Sequence, residues 1–302
     1  MSTLYTQQDS NVRRTWFLMT VFLVIVIALG WFISYYYQSS AILYIAIFIA
    51  LVMNIGSYWY SDKISLALAR AVPADKGQYP DLFNVVENLS ITAGLPMPKI
   101  YIIPDPAPNA FATGRNKEHA AVAVTQGLLG MMDKNELSGV IAHELSHIGN
   151  RDTLLQTVVV VLVGFIAIMA NIFTRSMWLG GGRRRGNDGE GNQLGAILAV
   201  VGIIFVILSP IIAQLIQLAI SRKREFLADA DGALLTRYPE GLASALTKIQ
   251  AYGRPMTTAN NATAHLYISN PFGSSASKGI AKLFMTHPPT EERIAILRGM
   301  EK

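Results

Sequence analysis

Five consecutive residues, His143-Glu144-Leu145-Ser146-His147, have the spacing H-E-x-x-H. On a helix, positions four apart lie on one face, roughly 6 Å apart along the axis, so both imidazoles can reach a single ion. Glu144, beside the first histidine, can take the proton of a water activated there without itself being a ligand. Metal-assisted hydrolysis needs that division of labour. A five-residue pattern is persuasive only in the right setting. Here Asp133 and Glu136 have capping-box spacing, and Leu137, Val140, Ile141 and Leu145 recur at helical intervals. They predict a helix from Asp133 to about Gly149 and Asn150, with the motif in its middle between the small residues Ala142 and Ser146.

A catalytic zinc takes three protein ligands and keeps one position open. The chain has no cysteine, which excludes thiolate ligands and disulfides and leaves histidine or carboxylate for the third position. The other histidines are His119, His265 and His287. Among carboxylates Glu225 stands out, because Asp229 follows it four residues later on the same face of an expected helix. That spacing suits one ligand and one carboxylate that accepts the second ring N–H of a ligating histidine. The competing reading is a solvated face on which Glu225 pairs with Arg222 or Lys223.

Positioning residue 225 beside residues 143–147 is the task of the remaining chain. Its 302 residues are 51% hydrophobic and 15% charged, with a mean hydropathy of +0.34, too apolar for an ordinary soluble domain. Four apolar stretches, 16–36, 41–60, 153–173 and 194–220, each reach the ~20 residues that a ~30 Å hydrocarbon core requires. The first is too long for a signal-peptide core, no A-x-A site follows it, and a second span begins within a few residues. An integral membrane protein with about four transmembrane helices is therefore expected. Two spans separate His147 from Glu225, an even number, so both metal-binding helices emerge on the side of the N-terminus.

The net charge of +5 could suit nucleic acid, but the basic residues stand at the ends of apolar spans. The implied partner is the lipid bilayer, with no nucleic acid. Arg13, Arg14, Lys63, Arg222, Lys223 and Arg224 mark a cytoplasmic side under the positive-inside rule, whereas Arg175 and Arg183 to Arg185 then fall outside. Either spans three and four form a hairpin that does not cross fully, or this loop departs from the rule. The side on which the site lies is the same in both cases.

Residues 1–60 read as a polar leader (1–15) followed by a transmembrane hairpin. Residues 61–152 read as the first half of a folded domain, with a helix over 80–89, strands at 99–103 and 120–124, and a loop over 106–114 passing into an extended segment. Residues 153–220 form a second hairpin interrupted by a Gly- and Arg-rich flexible loop, 174–193. Residues 221–302 complete the domain, with helices from 221, over 239–252 and after Pro289, and a loop-rich stretch over 253–288. The fold class is mainly α with a small sheet.

H-E-L-S-H, a hydrophobic hairpin and then E-F-L-A-D, with Pro108-Asn-Ala-Phe-Ala-Thr-Gly114, Asn150-Arg-Asp152, Asn270-Pro271 and His287-Pro288, resemble the HtpX family of membrane metallopeptidases, relatives of the CAAX prenyl proteases. The likeness covers essentially the whole chain. It implies an α+β zincin-like peptidase domain with one Zn2+ per subunit held by His143, His147 and Glu225, Asp229 behind a ligand, and Glu144 as base. It further implies proteolysis of membrane or misfolded proteins in quality control and stress, and a bacterial inner membrane with the site facing the cytoplasm. His287, in a Thr-His-Pro-Pro turn that the resemblance places near the site, is expected to stabilise the tetrahedral intermediate; the alternative is a turn histidine capping the last helix. Asn109, Ala110 and Phe111 are expected to offer backbone groups to an extended substrate. A membrane scaffold or transporter retaining a structural metal is disfavoured, because the spans hold almost no ionisable groups. A peptidase confined to prenylated peptides is disfavoured by the small number of spans.

Overall fold

The computed structural model describes residues 4–36, 38–165, 222–260, 262–273 and 288–300. Helices α1 (Leu4–Tyr36) and α2 (Ser40–Leu68) form a hairpin, and each contains a stretch long and apolar enough to cross a membrane, Gln8–Tyr35 and Ser40–Leu68. Phe17, Trp31, Tyr44 and Phe48 are more than half exposed, as on a helix pair whose outer surface meets lipid. Trp16 and Tyr58 stack across the pair with ring centroids 5.9 Å apart. The polar leader is not a separate segment. No Gly or Pro interrupts residues 4–15, α1 begins at Leu4, and the polar Asn11 and Thr15 are each 1% exposed. Likewise α2 runs past Tyr60 and sinks Ser61, Ser65 and Leu66 into the protein.

Beside the hairpin lies a four-stranded sheet of β1 (Val72–Pro73), β2 (Lys99–Ile103), β3 (Ala110–Thr113) and β4 (Ala121–Thr125). Its order is β1-β2-β4-β3, with β2 and β4 parallel and the other pairs antiparallel. The two strands expected from the sequence are present, the second beginning one residue later. Strand β1, two residues long, carries no periodicity to detect. Because side chains alternate along a strand, the sheet has two apolar faces. Ile100, Ile102, Ala112, Val122 and Val124 meet α3 (Pro80–Ala93) and α5 (Lys134–Gly149), while Ile103, Phe111, Ala121 and Ala123 meet α6 (Asp152–Phe165) and the end of α2.

Local signals account for these helices. Pro80 occupies the first turn of α3, and Gly94, with φ of 65°, ends it in the left-handed conformation. Thr125 caps the short α4 (Gln126–Met131). The Asp133–Glu136 capping box that the spacing predicts starts α5, and Ser244 and Lys248 also hold the Glu136 carboxylate. At Arg151, whose φ is 57°, the chain turns by 84° into α6.

Leu154, Val158 and Leu162 of α6 pack on Met19 and Phe22 of α1, so the described part of the third apolar stretch lies between the hairpin and the sheet. Helices α7 (Arg222–Thr236), α8 (Pro239–Tyr252) and α9 (Thr290–Gly299) close the other side of α5. Among the described residues two helices are long and apolar enough to span a membrane, or three if α5 and α6 count as one bent span. Since α5 is covered by the sheet, α3, α7 and α8, it does not face lipid. The remainder of spans three and four, with the loop 174–193 and Arg183 to Arg185, lies outside the described residues.

Candidate active site

Helix α5 presents His143 and His147 one turn apart, with their Nε2 atoms 3.2 Å from each other. Helix α7 crosses it closely because Gly232 lies against the backbone of His143, where a Cβ would come 3.0 Å from the amide nitrogen. That approach brings in Glu225, whose oxygens stand 3.8 Å from Nε2 of His143 and 3.6 Å from Nε2 of His147. All three side chains are buried. Behind the rings, Nδ1 of His143 lies 2.9 Å from Asp229 and Nδ1 of His147 lies 3.0 Å from Asp152. In the neutral tautomer that carries its proton on Nδ1, each ring donates that N–H to a carboxylate and turns the Nε2 lone pair toward a common point.

These residues fit a metal ion. Two nitrogens each ~2.05 Å from a tetrahedral zinc are about 3.3 Å apart, close to the separation observed between the two Nε2 atoms. Two buried lone pairs facing one another beside a carboxylate also repel unless a cation lies among them. Among the described residues, His143, His147 and Glu225 form the group able to hold one.

The electrostatics agree. Burial alone would depress His147, yet Asp152, Glu225 and Glu144 outweigh it and lift its pKa to about 9, so the pocket favours positive charge. His143 is lowered, chiefly by burial and further by the Arg293 guanidinium, although Asp229 acts against both. Burial, reinforced by Glu225, raises Glu144 to about 7 against the opposing influence of His147 and of a backbone hydrogen bond from Ala112. Its Oε1 atom is buried with no hydrogen-bond partner among the described residues. A carboxylate so placed is a strong base toward a proton delivered into the pocket.

The four residues singled out by the motifs converge, and Asp229 stands behind His143. The pairing of Glu225 with Arg222 or Lys223 on a solvated face is not what forms: Glu225 is 2% exposed. Of the other histidines, His119 is exposed beside Asn116, and Nε2 of His265 is 3.0 Å from the carbonyl of Gln156, so neither joins the group. His287 lies outside the described residues. Asn109, Ala110 and Phe111 have internal partners: the Asn109 amide donates to Ser269 O, Ala110 O accepts from Ile268 N, and Phe111 packs edge-on against Tyr267.

Sequence reasoning assigns no role at the site to Asp152, quoted only within Asn150-Arg-Asp152, to Arg224, read as a membrane-edge cation, or to Arg293. Arg293 grips Asp229 through Nη2 at 2.7 Å and Nε at 2.8 Å. Arg224, expected at a membrane edge, is 4% exposed with Nε 3.3 Å from Asp152. The available signal was Asp152 itself, five residues beyond His147 and just past the end of the motif helix.

A buried H-E-x-x-H helix, completed by a carboxylate from a second helix and joined to a lipid-facing hairpin, defines a membrane metallopeptidase. Residues 77–301 match the model of peptidase family M48. The chain is 50% identical to the protease HtpX homolog of Caldanaerobacter subterraneus subsp. tengcongensis over 99% of its own length and 98% of that protein's. It is 45% identical to the homolog of Lactobacillus acidophilus, over 98% and 100% of the two chains, and 48% identical to that of Thermococcus sibiricus, over 94% of each. The chain belongs to peptidase family M48 and, within it, to the HtpX proteases. The crystal structure of S. mikatae Ste24p aligns with 97% of this chain and 67% of its own, at 17% identity and a TM-score of 0.49.

Proposed function

We propose that the protein is a zinc-dependent endopeptidase that cleaves membrane or misfolded proteins on the cytoplasmic side of a cell membrane, with Glu144 as general base. The observation that carries this reading is the buried Oε1 of Glu144, without a hydrogen-bond partner among the described residues, next to two histidines and a glutamate whose donor atoms face one point. When bound there, zinc supplies Lewis acidity to an attacking water and to the scissile carbonyl. Glu144 takes the proton of that water and then delivers a proton to the leaving amine. Its raised pKa suits both roles near neutral pH.

Strand β3 ends the sheet, and its alternation turns Ala110 and Ala112 away from β4. With the Ala110 carbonyl already used by Ile268 and the Ala112 N–H directed to Glu144, the group this edge offers to an extended substrate is the Ala112 carbonyl, beside Glu144. His287 serves as the donor to the tetrahedral intermediate in this scheme, and His287→Phe with unchanged turnover removes it. The exposed Arg13, Arg14, Lys63, Arg222 and Lys223 at the domain end of the hairpin support a cytoplasmic site.

Purification under chelation, addition of zinc and an assay on casein or a membrane protein tests the reading. Glu144→Gln is expected to retain about one zinc per chain and to lose cleavage. Robust cleavage by that variant excludes Glu144 as the base.

A further inference from the structure

We propose that Asn11, in the first turns of the membrane helix α1, is a positioning residue of the metal centre that acts on His147 through Asp152. The inference rests on the metal-binding reading above. A helix leaves its last carbonyls without partners of its own. At the end of α5 these are supplied by α1: Gln8 Nε2 donates to Gly149 O at 2.7 Å, and Asn11 Nδ2 donates to Asn150 O at 3.1 Å.

Capping alone would need no more than that. The same amide group makes its shorter bond, 2.7 Å, to Oδ1 of Asp152, whose Oδ2 accepts from Nδ1 of His147 at 3.0 Å. The Asn11 carbonyl accepts from Arg224 Nη1 at 3.4 Å, and Arg224 Nε reaches the same Asp152 Oδ1 at 3.3 Å. The two amide hydrogens and the carbonyl of Asn11 are therefore all used. Thr15, one turn further along α1, donates to the Asn11 backbone carbonyl at 2.9 Å.

A carboxylate held at one oxygen by two donors cannot rotate freely about its Cβ–Cγ bond. The other oxygen therefore keeps the His147 ring oriented, with Nε2 toward His143 and Glu225. An asparagine is suited to the task because it is neutral, gives to Asp152 and takes from Arg224. Leucine offers neither function, and a second carboxylate would repel Asp152. Through this contact the membrane anchor forms part of the site.

Partners behind a metal ligand typically alter metal affinity by 10–100-fold. The test measures zinc dissociation constants of the full-length protein in detergent by competition with a chelator, for Asn11→Leu in the wild-type and in the Asp152→Asn background. Expected are about tenfold weaker zinc binding in the first and less than about a twofold further change in the second, because the route through Asp152 has already been cut. Unchanged affinity overturns the proposal, and so does an equal loss in both backgrounds.

Thermal midpoints of zinc-loaded and metal-free protein separate positioning from packing. A packing role lowers both equally, which overturns the proposal, whereas a positioning role narrows the gap between them. Asn11→Ser, too short to reach Asp152, carries the same expectations if the leucine variant does not fold. A wild type that binds no zinc overturns the metal centre and this inference with it; a wild type that binds zinc beside an unchanged Asn11 variant overturns this inference alone.

Discussion

Behind His143, Asp229 is gripped by two nitrogens of Arg293 at 2.7 and 2.8 Å, whereas behind His147 Asp152 stands 3.3 Å from Arg224 Nε and takes its short bond from Asn11. The first hold pairs α7 with α9, the Arg293 guanidinium being steadied by the Ile268 carbonyl at 3.0 Å. The second collects residues from α1, α6 and α7, so it includes the membrane anchor. A guanidinium that forks onto a carboxylate at 2.7 and 2.8 Å fixes both distance and orientation more firmly than a contact at 3.3 Å. Their charge also differs. Positive Arg293 adds to burial in depressing His143, whereas His147 sits among carboxylates and is raised. In the metal centre proposed above, His143 is the more firmly held ring, and His147 is the ring that the hairpin reaches through Asn11 and Asp152.

Removing the stronger grip gives the largest expected effect. Arg293→Met leaves Asp229 charged and buried, and loss of one partner from such a pair costs about 3–5 kcal/mol. Thermal or denaturant unfolding measures it, and a loss below about 1 kcal/mol would mean that Asp229 does not depend on the fork. Next come Asp229→Asn and Asp152→Asn, each expected to weaken zinc binding by about 10–100-fold, with Asp229 toward the upper end. Equal or reversed losses in chelator competition would erase the distinction between the two holds.

Metal removal gives a third measure: zinc at 100 times its dissociation constant stabilises the fold by about 2.7 kcal/mol. That increment, read from unfolding with and without chelator, is expected to shrink more in Asp229→Asn than in Asp152→Asn. The smallest effect lies outside both holds, at the start of α5. Burial raises the Glu136 carboxyl, but Lys248, Ser244 and the Asp133 backbone N–H outweigh it and keep the group below its ordinary value of 4.5. A depressed carboxylate contributes stability above its unfolded pKa and loses it as pH falls through the folded one. Glu136→Gln is therefore expected to cost about 1 kcal/mol near neutrality, with the difference from wild type closing in acid below 4.5. A constant difference across that range would show that the charge does not matter.

What was legible in the sequence follows from how local each feature is. His143, Glu144 and His147 share one helix, and a capping box announces its start. Glu225 and Asp229 share another, so spacing alone puts them on one face. Asp152, Arg293 and Asn11 act across 5, 64 and 141 positions, respectively, from the groups they hold, where no periodicity operates. Arg224 reads as a membrane-edge cation until Asp152 is placed beside it. Asn11 lies in a stretch whose polarity suggests a solvated leader, although Gln8, Asn11 and Thr15 already have helical spacing ahead of an apolar run. A polar stripe that continues the phase of a membrane helix is a sign that the helix extends and docks. The extent of α2 beyond Tyr60 was hidden for a similar reason: its serines are buried by tertiary contacts, which polarity does not reveal.

The stacked pair Trp16 and Tyr58 bears on reach. Indole and phenol rings settle at the lipid–water boundary, and with that boundary at Trp16, where the apolar stretch begins, Asn11 five residues earlier stands about 7.5 Å from it along the helix at 1.5 Å per residue. Asp152 and His147 are in hydrogen-bonded contact with that level. An extended chain advances about 3.3 Å per residue. In the function proposed above, a peptide bond two or three residues clear of a boundary at that ring pair reaches the pocket of His143, His147 and Glu225, so that cleavage close to the end of a transmembrane segment requires little of that segment to be pulled out.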